Sequence, residues 1–207
     1  MSIPQNTFFT VTPATNPRSK ATGTLNGVDY FFYISETRDL RVKTFSGVQS
    51  YTLDTNTLWV DTVQGIGVIH VYYSNRNGII FHIPFEHFGQ GNGAPVNTGI
   101  SGAIVTFSAN YAANTTVSLV ATPTYLLLLD DGVNHNLYVA SDPDFQTVLG
   151  TKRTFTNLVT PTHYVRRPTI SIHPEDTNIC TVNIQRIKIS DSTSKVGFYV
   201  VRIPGVD

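Results

Sequence analysis

The sequence predicts an all-β fold, a β-propeller-like array of hairpin blades, with a two-sheet β-sandwich or jelly roll as the alternative. Three observations predict it. Four times an apolar or aromatic run meets a short polar turn and returns as a second apolar run. The apolar residues alternate or run in fours and are rich in β-branched types, which leaves little helical periodicity. Asn, Asp and Gly fill the turns, and these residues accept the positive φ angles that tight hairpins demand.

Taken in order, residues 1–22 carry Pro4, Pro13 and Pro17 among Thr, Asn and Ser, and read as an extended N-terminal arm able to dock as an edge strand. Residues 23–207 read as a single all-β domain of about four hairpin units. The first hairpin takes Phe31–Ile34 through Glu36–Asp39 to Leu40–Val42, and the second takes Val71–Tyr73 through Asn75–Gly78 to Ile79–Phe81. Gly89–Gly102 is the longest loop-like segment, and long Gly-rich loops in compact domains are usually functional or mobile. The third hairpin joins Leu126–Leu129 to Leu137–Val139 across Asp130–Asn136, and the fourth joins Ile187–Ile189 to Phe198–Val200. Breaks fall at Asp142-Pro143-Asp144 and Arg166-Arg167-Pro168. A propeller blade occupies ~40–50 residues, so the step from Leu40 to Ile79 fits one blade while the later steps need insertions. Uneven spacing is what keeps the sandwich in play.

At 207 residues, one domain can bury roughly 70% of its unfolded surface. Charged residues make up 14%, against the usual ~25%, and the formal net charge is zero. That balance lacks the electrostatic footprint of a nucleic-acid or anionic-membrane partner. The longest apolar cluster, Tyr125–Leu129, is too short to span a bilayer. The lone Cys180 forms no internal disulfide and reads as a buried thiol. The start Met1-Ser-Ile-Pro-Gln-Asn has no basic leader region, so a cytoplasmic or non-classically released protein is expected, or alternatively a virion component.

The stretch Val68-Ile69-His70-Val71-Tyr72-Tyr73-Ser74-Asn75-Arg76-Asn77-Gly78-Ile79-Ile80 resembles a blade of the fungal fucose-specific lectins, which run as a Val-Tyr-Tyr strand, a polar turn and an Ile-x-x strand. Gly27–Gly47, with Phe32-Tyr33, Leu40-Arg41 and Phe45-Ser46-Gly47, is similar. The resemblance covers the first half of the chain. It implies a propeller that binds fucose between blades through Arg, Glu and aromatic side chains. The family's Arg-Glu pair stands here as Arg41-Val42 and, in the next unit, Ile80-Phe81, and Trp59 is the only tryptophan. The carry-over therefore rests on Arg41 and Trp59.

Sugar recognition needs an aromatic face for the pyranose and planar polar groups for its hydroxyls. The candidate carbohydrate-binding residues are Tyr33, Arg38 and Arg41 in the first hairpin, Tyr72, Tyr73, Asn75 and Arg76 in the second, and Trp59 with Asp61 between them. Asp61 follows Trp59 by two positions and shares its strand face. Each of these has an ordinary competing role, since aromatics in β proteins are mostly packing and turn charges mostly solvated. His82, Glu86 and His87, with His70 nearby, lack the spacing of a zinc helix, and Pro84 opposes a helix there. Asp130–Asn136 places oxygens close together, yet the twelfth position is Ser141 rather than the Glu of a calcium loop. No metal or cofactor is expected.

Catalysis ranks last, because no nucleophile, phosphate or dinucleotide motif is present and the 14 acids fall mostly in turns. The leading expectation is a non-enzymatic glycan-binding lectin. The second is a viral or phage structural protein working through β-rich interfaces. Homo-oligomers are expected under both, since repeated weak sugar sites raise avidity and virion proteins pair with neighbours.

Overall fold

A computed structural model of the chain describes residues 20–89, 92–101, 106–114, 122–130, 134–149, 151–156, 163–165, 169–172, 179–188, 190 and 194–202. Among these the secondary structure is all strand, in four antiparallel sheets. Sheet 1 runs β1 (Lys20–Leu25), β2 (Val28–Ile34), β3 (Leu40–Thr44) and β4 (Ser50–Asp54) in chain order. Sheet 2 repeats this with β5 (Thr57–Gln64), β6 (Ile69–Asn75), β7 (Ile79–Phe85) and β8 (Val96–Ser101). Sheet 3 does so with β9 (Thr106–Asn114), β10 (Thr122–Asp130), β11 (Asn134–Ala140) and β12 (Arg153–Thr156). In sheet 4, β13 (His163–Val165) and β14 (Thr169–Ile172) pair with successive stretches of β15 (Ile179–Lys188), whose other edge takes β16 (Ser194–Arg202).

The four hairpins expected from the sequence are the antiparallel pairs β2–β3, β6–β7, β10–β11 and β15–β16. Strands of successive sheets pack on one another, β1 on β5, β5 on β9 and β9 on β14. Three four-stranded meanders and a fourth sheet, stacked strand on strand, make a propeller-like array and rule out the two-sheet sandwich. Lys20, Ala21 and Thr22, the last residues of the expected arm, belong to β1, and residues 1–19 lie outside the described residues.

Local chemistry explains the turns. Asn26 (φ 52°) and Gly27 (φ 76°) form the two-residue loop between β1 and β2, the Asn-Gly pairing that a type I′ hairpin turn selects. Asn75 Oδ1 accepts the N–H groups of Asn77 (2.9 Å) and Ile79 (3.0 Å), which shapes the β6–β7 turn. Pro84 sits on β7 beyond the last residue that pairs with β8, so its missing N–H costs no ladder bond on that side.

The core lies between sheets. Phe32, Leu40, Val42, Tyr30 and Leu25 of sheet 1 meet Val60, Ile69, Val71, Tyr73, Ile83 and Phe85 of sheet 2. On the opposite face of sheet 2, Trp59, Val63, Tyr72 and Ile80 meet Tyr125, Leu127, Leu129 and Ala140 of sheet 3. Strand β6 is therefore covered on both sides, and six of its seven residues are buried. Alternation sends Ile69, Val71 and Tyr73 towards sheet 1 and His70, Tyr72 and Ser74 towards sheet 3. Thr62 Oγ1 donates to Thr22 O (2.6 Å) and Thr24 N donates to Gln64 Oε1 (3.1 Å), straps that hold β5 to β1.

Candidate active site

The seam between sheets 2 and 3 contains a chain of buried titratable groups. His82 Nδ1 lies 2.6 Å from Asp144 Oδ1, His82 Nε2 lies 3.0 Å from His70 Nδ1, and His70 Nε2 lies 3.4 Å from the Tyr125 hydroxyl. An ionised carboxylate can only accept, so the proton of His82 sits on Nδ1 and its Nε2 must accept. His70 then donates from Nδ1, and its Nε2 is left to accept from Tyr125. One anchoring carboxylate fixes both tautomers, and every donor points towards Asp144.

Burial keeps both imidazoles neutral. His70 is pushed down to about 4, chiefly by burial and then by His82, with Asp144 pulling the other way. Burial also lowers His82 despite its hydrogen bond to Asp144. The Tyr72 phenol is raised by burial and by the neighbouring Tyr125, Asp144 and Asp142. His82 is 2% exposed whereas Asp144 is 36% exposed, so the chain of buried groups ends in a carboxylate that solvent can reach.

The loop after β11 delivers that carboxylate. Asp142 accepts the N–H groups of Gln146 (3.0 Å) and Thr147 (2.6 Å). Burial pushes the Asp142 carboxyl up, but these donors outweigh it and leave the group below the ordinary carboxylate range. Gln146 Nε2 donates to Asn97 O (3.1 Å), tying the loop to sheet 2. Tyr72 donates to Pro143 O at 2.7 Å. Phe145 holds φ 56°, sparse territory for a residue with a side chain, while its ring is 2% exposed and meets Tyr72 edge-on at 5.9 Å. Backbone strain of this kind, of order 1–3 kcal/mol, persists only where packing over-determines it and clusters at functional sites.

Across sheet 2 the register sets Asp61 opposite Tyr72 and Tyr72 opposite His82. Asp61 alternates with Trp59 and Val63, both in the sheet 2–sheet 3 core, so it shares the face that carries Tyr72 and His82. A carboxylate, a phenol and an imidazole thus stand in a row, and Asp144 reaches that imidazole from sheet 3. The row can hold, orient and exchange protons. Among the described residues no group of three His, Cys, Asp or Glu is arranged to hold a metal ion. Glu86 and His87 lie past the end of β7, with Glu86 exposed, while His82 is buried on that strand. Part of the Asp130–Asn136 loop, residues 131–133, lies outside the described residues.

The nine sugar-binding candidates are not brought to one surface. Tyr33 stacks on Phe31 at 5.6 Å, Arg38 occupies the β2–β3 turn with φ 64°, and Arg41 pairs with Asp39 at 3.2 Å, all in sheet 1. Trp59 is 8% exposed in the sheet 2–sheet 3 core. Tyr72 and Tyr73 are buried on opposite faces of β6, and the Tyr73 hydroxyl donates to Asp54 of sheet 1. Asn75 shapes its turn and Arg76 is exposed. Asp61 stands opposite Tyr72 and Tyr33 opposite Arg41, while Trp59 shares the core of Tyr72; the sequence offers His70 and His82 only as weak metal-ligand candidates and does not join them to Asp144. The signals of that chain were present as His70 and His82 flanking one hairpin and as the Asp142-Pro143-Asp144 break.

No family model matches the chain, and no curated protein matches it by sequence. Solved structures match its fold. An endo-arabinase from Bacteroides thetaiotaomicron superposes with a TM-score of 0.51 at 11% identity, over 89% of this chain and 75% of that one. A Bacteroides ovatus protein designated xyloglucan PUL GH43B does so with a TM-score of 0.54 at 12% identity, over 88% of this chain and 42% of that one. This chain therefore spans less than half of the second protein. Both are glycoside hydrolases of a five-bladed β-propeller family, and at such identities the likeness is one of fold.

That finding corrects two expectations. The non-enzymatic, fucose-lectin-like reading gives way because the shared architecture is that of glycoside hydrolases, and the expectation of no enzymatic activity falls with it. The virion reading gains no support from these structures. The physical reason is in the core: Trp59, Tyr72 and Tyr73, on which a lectin surface would have depended, pack between sheets.

Proposed function

We propose that this chain acts on glycans as a carbohydrate-active enzyme that cleaves glycosidic bonds in neutral polysaccharides. The observation that carries the proposal is the solvent-reachable Asp144 carboxylate at the end of the buried Tyr125–His70–His82 chain. Support comes also from the fold, shared with an enzyme named for arabinan and with one named for xyloglucan.

Hydrolysis of a glycosidic bond needs two carboxyl groups on either side of the reacting carbon. Asp144 is the base: His82 occupies one of its oxygens and orients the carboxylate, leaving the other to take a proton from water. Asp61 is the acid. The water oxygen bonds to the anomeric carbon, the bond to the leaving oxygen breaks, and that oxygen takes the Asp61 proton. The products are a free reducing end and a free hydroxyl. The neutral His82 donates to Asp144 without competing for the substrate proton, which is the use of a histidine held below its ordinary pKa.

The test is release of reducing ends from linear arabinan and from xyloglucan by the purified full chain. Asp144→Asn and Asp61→Asn should each lower the rate by about 10²–10⁴-fold, the range for losing a general acid or base. Activity undiminished in Asp144→Asn would remove it from the site, and inertness of the unaltered chain towards both polymers would overturn the reading.

A further inference from the structure

A cavity of about 370 Å³ opens at the other seam, where Tyr51, Thr52 and Leu53 of β4 face Ile83 of β7 and Gly89, Asn92 and Gly93 of the β7–β8 loop. The volume falls within the range of small-ligand pockets, ~300–1,000 Å³. It faces sheet 1 rather than sheet 3, so it is separate from Asp144.

Its walls are set before any ligand arrives. Tyr51 stands edge-on to Phe88 with ring centroids 4.7 Å apart and planes at 87°, and its hydroxyl accepts from Gln49 Nε2 at 2.9 Å. The phenolic proton therefore remains to be donated. Asn92 Oδ1 accepts from the N–H of Glu86 (2.9 Å), and its Nδ2 donates to His87 O (3.0 Å) and Gly89 O (3.2 Å), so this side chain staples the loop. Gly89 holds φ 134°, which a residue with a Cβ rarely adopts, and a Cβ built there would meet open space. A fixed aromatic ring costs little conformational entropy on binding, and a stapled loop removes the ordering cost that flexible sites carry.

The lining selects the ligand chemistry. Among the described residues no charged side chain lines the cavity. Tyr51, Leu53 and Ile83 give it an apolar wall, and the Tyr51 hydroxyl gives it a polar point. Strand β4 is the last strand of sheet 1, so its outward backbone edge adds donors and acceptors. A ring with one apolar face and several neutral hydroxyls satisfies all of these; an ion satisfies none. We infer that this cavity is a second carbohydrate subsite, holding a neutral glycosyl segment of the same polymer at a distance from the reacting bond. The inference rests on the proposed activity for its polymer, while its readout is binding.

The experiment titrates the full-length Asp144→Asn protein with neutral arabino-oligosaccharides and xyloglucan oligosaccharides, following backbone amides by NMR. Saturable shifts at Thr52, Gly89 and Gly93 are expected, with Tyr51→Ala weakening polymer binding about tenfold or more and Tyr51→Phe weakening it less. Shifts absent from these three amides under saturating oligosaccharide would overturn the subsite, as would undiminished polymer binding by a folded Tyr51→Ala. If the chain hydrolyses no polymer but these amides still shift, the subsite stands and the catalytic reading falls. Hydrolysis without the shifts keeps the catalytic reading and removes the subsite.

Discussion

Trp59 projects from β5 into the seam between sheets 2 and 3, where it joins Tyr72, Leu127 and Phe145 and is 8% exposed. An indole placed there contributes through burial and contact. Trp59→Ala should therefore cost about 3–5 kcal/mol, the transfer energy of the ring plus the cavity left behind. The measurement is a urea midpoint by circular dichroism. A binding platform would show the reverse pattern, with an unchanged midpoint and lost ligand affinity, and a shift under about 1 kcal/mol would place Trp59 outside the core. A lone tryptophan in a strand reads identically in both roles, because the sequence states that a ring is present and not which neighbouring sheet covers it.

At the scale of elements, the hairpins were legible and the faces were not. Asn75-Arg76-Asn77-Gly78 specifies its turn through contacts within five residues, so local chemistry suffices. Asn26-Gly27 is an equally strong local signal that a count of four hairpins passed over. By contrast, Val71, Tyr72 and Tyr73 are all apolar because β6 has a sheet on each side, and a strand buried on both faces loses the alternation that would tell them apart. The contact of His82 with Asp144 spans 62 positions and exists only because sheet 3 stacks on sheet 2. Its local half was readable: Asp142 accepts from Gln146 and Thr147 and closes the loop on itself. Asp142→Ala should leave both N–H groups without that acceptor, costing about 1–3 kcal/mol locally. Hydrogen exchange at Gln146 and Thr147 should then quicken about tenfold or more, and hydrolysis should fall with Asp144 less firmly placed. Unchanged exchange at both amides would mean that the loop is held by Phe145 and Gln146 instead.

At the scale of the whole molecule, the described residues pack each sheet on its neighbours in the array, so stability adds up over seams. The two seams flanking sheet 2 differ in chemistry. Between sheets 1 and 2 the packing is aromatic, with Phe85 edge-on to both Tyr30 (5.0 Å) and Phe32 (5.2 Å). Between sheets 2 and 3 lie His70 and His82, faced by Asp144 and Asp142 from the β11 loop and by Tyr72 and Tyr125 from the strands. Acid should therefore loosen one seam and spare the other. His70 titrates near the ordinary histidine value of 6.5 when unfolded and at about 4 when folded, so between those pH values the unfolded chain binds more protons. Its stabilising contribution is present above pH 6.5 and is lost as pH falls towards 4, at up to about 1.4 kcal/mol per pH unit. His82 is lowered as well and adds in the same direction. Urea midpoints taken at pH 7.5, 6 and 5 should fall stepwise, and His70→Gln should flatten the dependence by removing the proton-binding group while keeping a polar side chain. Exchange protection should drop at β10 and β11 before it drops at β2 and β3. A midpoint that stays constant from pH 7.5 to 5 would mean that the histidines charge without cost, and hence that water reaches the seam that their burial defines.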